Sequence, residues 1–381
     1  MTNETTYDTV VHAGLAGVVA SATRISLVDG ERGRLVYRGH WAKELAVNYT
    51  FEHVAHLLWF GCLPTDDQLL AMRRRMAEWR RLPQHVKTIL DVLPPDVDMM
   101  SALRTAISAF AGPEFEWPPT PDQAMHLTAV VPTIIAYRFR KLQGLDPVAP
   151  REDLSHTANY LYMLRGEEPS SAHVAALDAY LILTAEHGMN ASTFAGRVTI
   201  STRSDLVSAV ASAIGAMKGP LHGGAPAEVD DTLSAIGTKE NAEPYLRALL
   251  MRGERIMGFG HRVYKTRDPR AAALSEVARR VAGEDPWLDL ATHVEDVAVR
   301  LLAEFKPGRK LYANVEFYAS AVLRAVGLDR TLYTPTFTVA RMAGWTAHAL
   351  EQAEEDRIIR PESLYVGSMP GEMQIPSRTA S

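Results

Sequence analysis

The chain has 381 residues, 47% of them hydrophobic and 22% charged, the mix of a folded protein with a substantial core and not of a disordered one. A net charge of −5, from 45 acidic against 40 basic residues with no basic stripe, argues against nucleic acid as a partner. A single cysteine, Cys62, excludes an intrachain disulfide and a thiolate metal cluster. The N-terminus lacks the basic-then-apolar pattern of a secretory signal. No apolar run approaches the ~20 residues of a membrane span, so the cytoplasm is the simplest location.

In chain order, residues 1–20 carry little pattern, with Gly14 and Gly17 as breakers. Apolar–polar alternation over 25–29 and 34–38, around Gly30 to Gly33, predicts a β-hairpin. Beyond it the chain reads as helical almost throughout. A helix opens at Thr50 and stops near Gly61; 66–80 is an exposed, Arg-rich helix; 99–111 and 126–142 follow, separated by the Pro-rich stretch 113–121. An apolar helix over 172–187 ends at Gly188, and Asn190 or Ser192 caps the next one. The small residues of 206–218 suit close packing, and Gly219-Pro220 stops that helix. Polar-faced helices fill 230–255 and 270–305, and the last strong helices are 316–326 and 339–355. A mainly α chain with one small hairpin lacks the strand–helix alternation of a dinucleotide-binding sheet.

Three histidines stand in settings unsuited to core packing. His187 is followed by Gly188, His222 by Gly223 and Gly224, and His261 is preceded by Gly258 and Gly260. Glycine lets backbone approach a ligand closely, so these imidazoles are candidates to face one. They are dozens of residues apart, without the close ligand pair usual for zinc. His53 and His56 have i, i+3 spacing but lie in an apolar helix and read as packing or surface residues. Arg341 sits in an apolar helix segment, where a lone guanidinium needs an anion: either a buried carboxylate or a ligand. With Arg270 and Arg360 it points to an anionic substrate such as a dicarboxylate. Glu316 opens an apolar helix, where it serves either the helix dipole or as a general base.

At these residues the sequence resembles the citrate synthase family, from the segment beginning at Gly14 to Arg360-Pro361. The segments around 187–197, 219–225, 261–270 and 341 are specific when found in this order. The resemblance, to the short form of the family, implies a mainly α, two-domain fold: residues 1–222 and 328–381 in a large domain, 223–327 in a small one. It implies a homodimer that condenses acetyl-CoA with oxaloacetate and hydrolyses the thioester to citrate and CoA. His187, His261, Arg270 and Arg341 match the oxaloacetate ligands, and Arg360 an arginine that reaches the partner subunit's site. His222 matches the group that holds the thioester carbonyl, and Lys265 a cation for CoA phosphate. The coenzyme A thioester is a substrate, and no metal or other cofactor is implied. One position departs: the family's base is Asp, whereas here it is Glu316. The added methylene must be absorbed by roughly 1 Å, a displacement able to change rate about 100-fold. Two further readings stay open, a 2-methylcitrate synthase using propionyl-CoA and a weakly active paralogue that senses oxaloacetate or CoA.

Overall fold

The computed structural model describes residues 11–223, 225–260, 264, 266–282, 286–309 and 311–370. Strands β1 (Ser26–Asp29) and β2 (Arg34–Tyr37) form the expected antiparallel hairpin, with Ser26 opposite Tyr37 and Asp29 opposite Arg34. A short third strand, β3 (His40–Trp41), returns through Gly39 and pairs with β2. Among the described residues the elements after it are helices, apart from a single antiparallel bridge between Phe259 and Ala313.

The first helices are α1 (Ala42–Asn48), α2 (Phe51–Phe60), α3 (Asp66–Trp79), α4 (Gln84–Val92), α5 (Met99–Ser108), α6 (Pro121–Leu142) and α7 (His156–Arg165). Sequence-encoded caps fix their ends. Thr65 and Gln68 exchange bonds in a capping box, as do Thr120 and Gln123, and Gly61 closes α2 in the left-handed conformation. Helix α6 starts five residues earlier than its apolar pattern predicts, because Pro121 occupies the first turn, where it lacks only an N–H that would be unpaired anyway. Helices α1, α4 and α7 were not legible. Each has ten residues or fewer, too short to be stable alone, and depends on burying residues such as Leu45, Leu90 and Leu161.

The second half contains α8 (Ser171–Thr184), α9 (Ala191–Ile200), α10 (Leu206–Met217), α11 (Ala225–Ile236), α12 (Lys239–Met251), α13 (Pro269–Ala282), α14 (Pro286–Phe305), α15 (Val315–Ala325) and α16 (Tyr333–Glu355). The polar-faced helices expected over 230–255 are α11 and α12, parted at Gly237, and those over 270–305 are α13 and α14. Helices α9 and α10 pack tightly, Gly196 lying against the carbonyl of Ala209, as the small residues foretold.

Helix α16 is the axis of the first packing unit. It is buried on nearly every side and packs on α2, α6, α8, α9 and α10. Helices α11 to α15 pack mainly among themselves, and α13 and α15 also touch α8. That seam gathers the C-terminal end of α8 and the starts of α13 and α15, and Gly344 of α16 lies against Ala185 and Glu186 just beyond α8. No described helix is long and apolar enough to cross a membrane.

Candidate functional site

His222 follows α10 by five residues, its N–H bonded to the Gly219 carbonyl. Gly223 beside it is required by packing, since a Cβ there would run into the Met217 carbonyl and Thr334. The His222 Nε2 lies 2.7 Å from Ser192 Oγ. Ser192 also lies 2.7 Å from Asn190 Oδ1 and accepts the indole N–H of Trp345 at 3.0 Å. Asn190 Oδ1 is an acceptor, because it takes the backbone N–H of Thr193. The single Ser192 proton therefore goes to Asn190 or to His222. In the first case His222 carries its proton on Nε2, in the second on Nδ1. Burial, helped by the positive charge of Arg341, pushes the His222 pKa down to about 4. The ring is neutral near pH 7.

Arg341 is buried on α16, its guanidinium over the Phe337 ring at 4.7 Å. Its Nε and one Nη have no hydrogen-bond partner among the described residues. Burial lowers its pKa to about 10, against the attraction of Glu186. The buried carboxylate that sequence reasoning offered as one alternative does not pair with it directly. Arg270, at the start of α13, is also buried. Asp268 grips it through both oxygens, at 3.1 Å from Nε and 2.8 Å from Nη2. Burial works against this charge, and the Asp268 carboxylate outweighs it, so the pKa moves up. Arg270 also faces the Tyr264 ring, and Tyr264 Oη is 3.3 Å from His187 Nε2. Half-buried His187 thus shares a neighbour with Arg270.

Glu316 stands in the first turn of α15. Asn314 caps that helix by accepting the Glu316 N–H at 3.1 Å, while its own amide donates to the Gly260 carbonyl at 2.9 Å. Asp268 Oδ2, besides holding Arg270, accepts the Val315 N–H at 3.2 Å. The segments ending at Gly260, Arg270 and Glu316 are thereby laced together. Glu316 Oε2 is buried without a hydrogen-bond partner among the described residues. Burial raises its pKa; Arg270 and Arg341 pull it back only in part. A carboxylate of raised basicity with one unpartnered oxygen, a neutral imidazole and a buried guanidinium with two unpartnered nitrogens therefore lie near one another, close enough for the Arg341 charge to act on both other groups.

His261 and Lys265 lie outside the described residues. Arg360 is exposed on the extended segment after α16, without an ion pair among the described residues. Read from the sequence as packing or surface residues, His53 takes the Thr50 N–H in the α2 cap and buried His56 bonds the Cys62 carbonyl. No cluster fit to hold a metal occurs among the described residues.

Sequence reasoning passed over Ser192 and Asn190 except as caps. It also missed Asp268, Tyr264, Glu186 and His348. The last had a signal: Arg341, Trp345, His348 and Gln352 recur at helical spacing along one face of a helix that is otherwise apolar.

The family model described as citrate synthase, C-terminal domain, matches residues 14–362. The chain belongs to the citrate synthase family. The citrate synthase 2 of Bacillus subtilis strain 168 is 42% identical over 367 residues, spanning 93% of this chain and 95% of its own. The 2-methylcitrate synthase of Mycobacterium tuberculosis H37Rv is 42% identical over 369 residues, spanning 94% and 91%. Among solved structures, citrate synthase from Thermotoga maritima MSB8 superposes with a TM-score of 0.87 at 38% identity, over 98% of this chain and all of that one. The Thermoplasma acidophilum citrate synthase, solved with carboxymethyl coenzyme A and oxaloacetate, gives 0.89 at 29% identity over 96% and 98%. This chain is accordingly an enzyme of the citrate synthase type, with the mainly helical fold the sequence implied.

Proposed function

We propose that the enzyme condenses acetyl-CoA with oxaloacetate and hydrolyses the resulting thioester to citrate and CoA. The observation that carries this reading is the seam that joins an unpaired base, Glu316, to a neutral imidazole, His222, and an unpaired guanidinium, Arg341. Glu316 takes a proton from the acyl α-carbon. That carbon is a very weak acid, so charge developing on the thioester oxygen needs a donor, supplied by His222. Donation requires the tautomer with its proton on Nδ1. Ser192 selects it by turning its hydroxyl from Asn190 to Nε2. The enol then attacks the ketone carbon of oxaloacetate, with His261 giving a hydrogen bond or proton to the ketone oxygen. His187, Arg270, Arg341 and Arg360 hold the two carboxylates and fix the face of attack. Water cleaves the thioester. Lys265 serves the CoA phosphate, and the coenzyme A thioester is the only cofactor-like group.

We take residues 223–327 as a small domain that closes on the large one, shielding the enol from water. We take the assembly as a homodimer whose Arg360 enters the partner's site. Exposed Ile358, Leu364, Tyr365 and Val366 beside Arg360 favour a covered tail. The same residues serve propionyl-CoA chemistry, and the M. tuberculosis relative favours keeping a 2-methylcitrate synthase as the second reading. One methylene in an apolar pocket discriminates by only ~1–3 kcal/mol. No observation favours a binding-only sensor. CoA release measured with each acyl-CoA and oxaloacetate decides: the preferred substrate has the higher kcat/KM, and no release with either overturns the proposal.

A further inference from the structure

Asp268 serves two helices at once. It stands just before Pro269, the first residue of α13, and is 2% exposed. Four N–H groups converge on its carboxylate. Oδ1 accepts the Arg270 backbone N–H at 2.9 Å and its Nε at 3.1 Å; Oδ2 accepts Nη2 at 2.8 Å and the Val315 N–H at 3.2 Å. The first and last of these are helix-start donors, which have no partner within their own helix. Val315 opens α15, and Glu316 follows it. One buried carboxylate therefore caps α13, grips the Arg270 side chain and holds the turn that carries Glu316. The neighbouring cap, Asn314, turns elsewhere: its backbone N–H goes to the Gly258 carbonyl and its side-chain amide to that of Gly260, both at 2.9 Å.

An anion beside Arg270 offsets part of that arginine's attraction for a dicarboxylate, so strength of substrate binding does not account for Asp268. Geometry does. We propose that Asp268 is a positioning residue for the condensation: it fixes the guanidinium that holds oxaloacetate and the helix turn that presents Glu316 in one frame, so that the ketone carbon and the acyl α-carbon meet in register. This rests on the readings of Arg270 as an oxaloacetate ligand and of Glu316 as the base. A guanidinium held through Nε and Nη2 has its plane set by the carboxylate that holds it. A helix start held through its first N–H cannot slide away from that plane. A displacement of ~1 Å between reacting groups is enough to lower the rate about 100-fold.

The arrangement requires acceptors on both oxygens. Asparagine at 268 accepts through one atom only. With its oxygen toward the Arg270 backbone and Nε, its NH2 group faces Nη2 and the Val315 N–H, donor against donor. Turned over, it meets the Arg270 backbone N–H and Nε in the same way. Either orientation cuts the tie between α13 and α15. Val315→Pro is a finer cut. Proline lacks the one N–H involved, suits the first position of a helix, and leaves both charges and the Asp268 grip on Arg270 in place. Asn314 before it is already extended, as a residue preceding proline should be. Val315→Ala is the control: it gives up the buried side chain and keeps the N–H.

The test measures kcat for CoA release and, by calorimetry, the Kd for oxaloacetate in these variants. Val315→Pro should lose about tenfold or more in kcat, while its Kd stays within about threefold of wild type because Arg270 is still gripped. Val315→Ala should lose no more than about threefold in kcat. Asp268→Asn should lose about 100-fold, and adding Val315→Pro to it should cost less than about threefold more, since both cut one tie. If Asp268→Asn does not fold, the proline and alanine variants decide between them. If Val315→Pro does not fold, kcat of Asp268→Asn at saturating substrates takes its place. Equal kcat in Val315→Pro and Val315→Ala overturns the proposal, as does a Kd in Val315→Pro weakened as much as kcat, a near-wild-type kcat in Asp268→Asn, or full additivity in the double variant. Absence of oxaloacetate binding by wild type, or wild-type turnover in Glu316→Gln, overturns instead the readings on which it stands.

Discussion

His222 and Ser192 are joined by a 2.7 Å hydrogen bond whose proton has two possible owners, and Trp345 holds the serine from the other side at 3.0 Å. The ring can donate to a thioester oxygen only when Ser192 gives its proton to Nε2. Ser192→Ala removes that control while leaving the imidazole. We expect kcat to fall about tenfold, the worth of one hydrogen bond, with acyl-CoA affinity little changed. His222→Ala should cost ~100-fold or more, the usual loss for a donor to developing negative charge. Steady-state kinetics on the two variants separates the roles.

Arg341 should trade stability for binding. Its unpartnered buried N–H groups burden the fold, so Arg341→Met, of similar length and apolar, should unfold at the same temperature or a few degrees higher. The same variant should lose oxaloacetate affinity by roughly 100-fold or more, because a charged pair in a desolvated site disappears. Calorimetric melting and ligand titration check both halves. A large drop in Tm would mean that the guanidinium is structural.

The pH dependence follows from Glu316. Its pKa is raised by burial, so the ionised base forms later on the pH scale than for an ordinary glutamate. The acid limb of kcat should therefore lie above the usual carboxylate range, while His222, titrating at about 4, adds nothing near neutrality. The stability consequence has the opposite sense to that of a salt-bridged acid. The folded state holds this proton more tightly than the unfolded state, so the stabilising contribution is present at low pH and is lost as pH rises through the raised pKa. Glu316→Gln should melt higher than wild type at pH 8.

The proposed trans action of Arg360 is open to subunit complementation. Arg360→Ala and Glu316→Gln are each expected to be nearly inactive alone. In a hybrid dimer, the site with an intact Glu316 receives an intact Arg360 from its partner. Random mixing makes half the dimers hybrid, each with one working site, so about a quarter of wild-type activity should return. No recovery after demonstrated subunit exchange would place Arg360 in its own site or outside both.

Long elements with clear stop signals were legible in the sequence. The hairpin needed only alternation around Gly30 to Gly33, and α2 and α8 to α10 were framed by Thr50, Gly61, Asn190 and Gly219. Short helices such as α1 and α7 were not, because tertiary burial stabilises them. In the site, residues in odd company stood out: histidines among glycines, and an arginine in an apolar helix. Asp268 and Glu186 were invisible because acids near helix ends are common in any chain. What distinguishes them is a set of contacts, of Asp268 with Val315 and of Glu186 with Ser26 and His348, across distances in sequence that no local pattern records.

The role of Glu316 is tested most directly by exchange of the acyl-CoA α-protons with deuterated solvent, followed by mass spectrometry in the presence of a non-reacting oxaloacetate analogue. Glu316→Gln preserves size and polarity but removes the base, so exchange should fall by orders of magnitude while the analogue still binds. Exchange at a near-wild-type rate in Glu316→Gln would contradict the assignment, because another group would then be taking the proton.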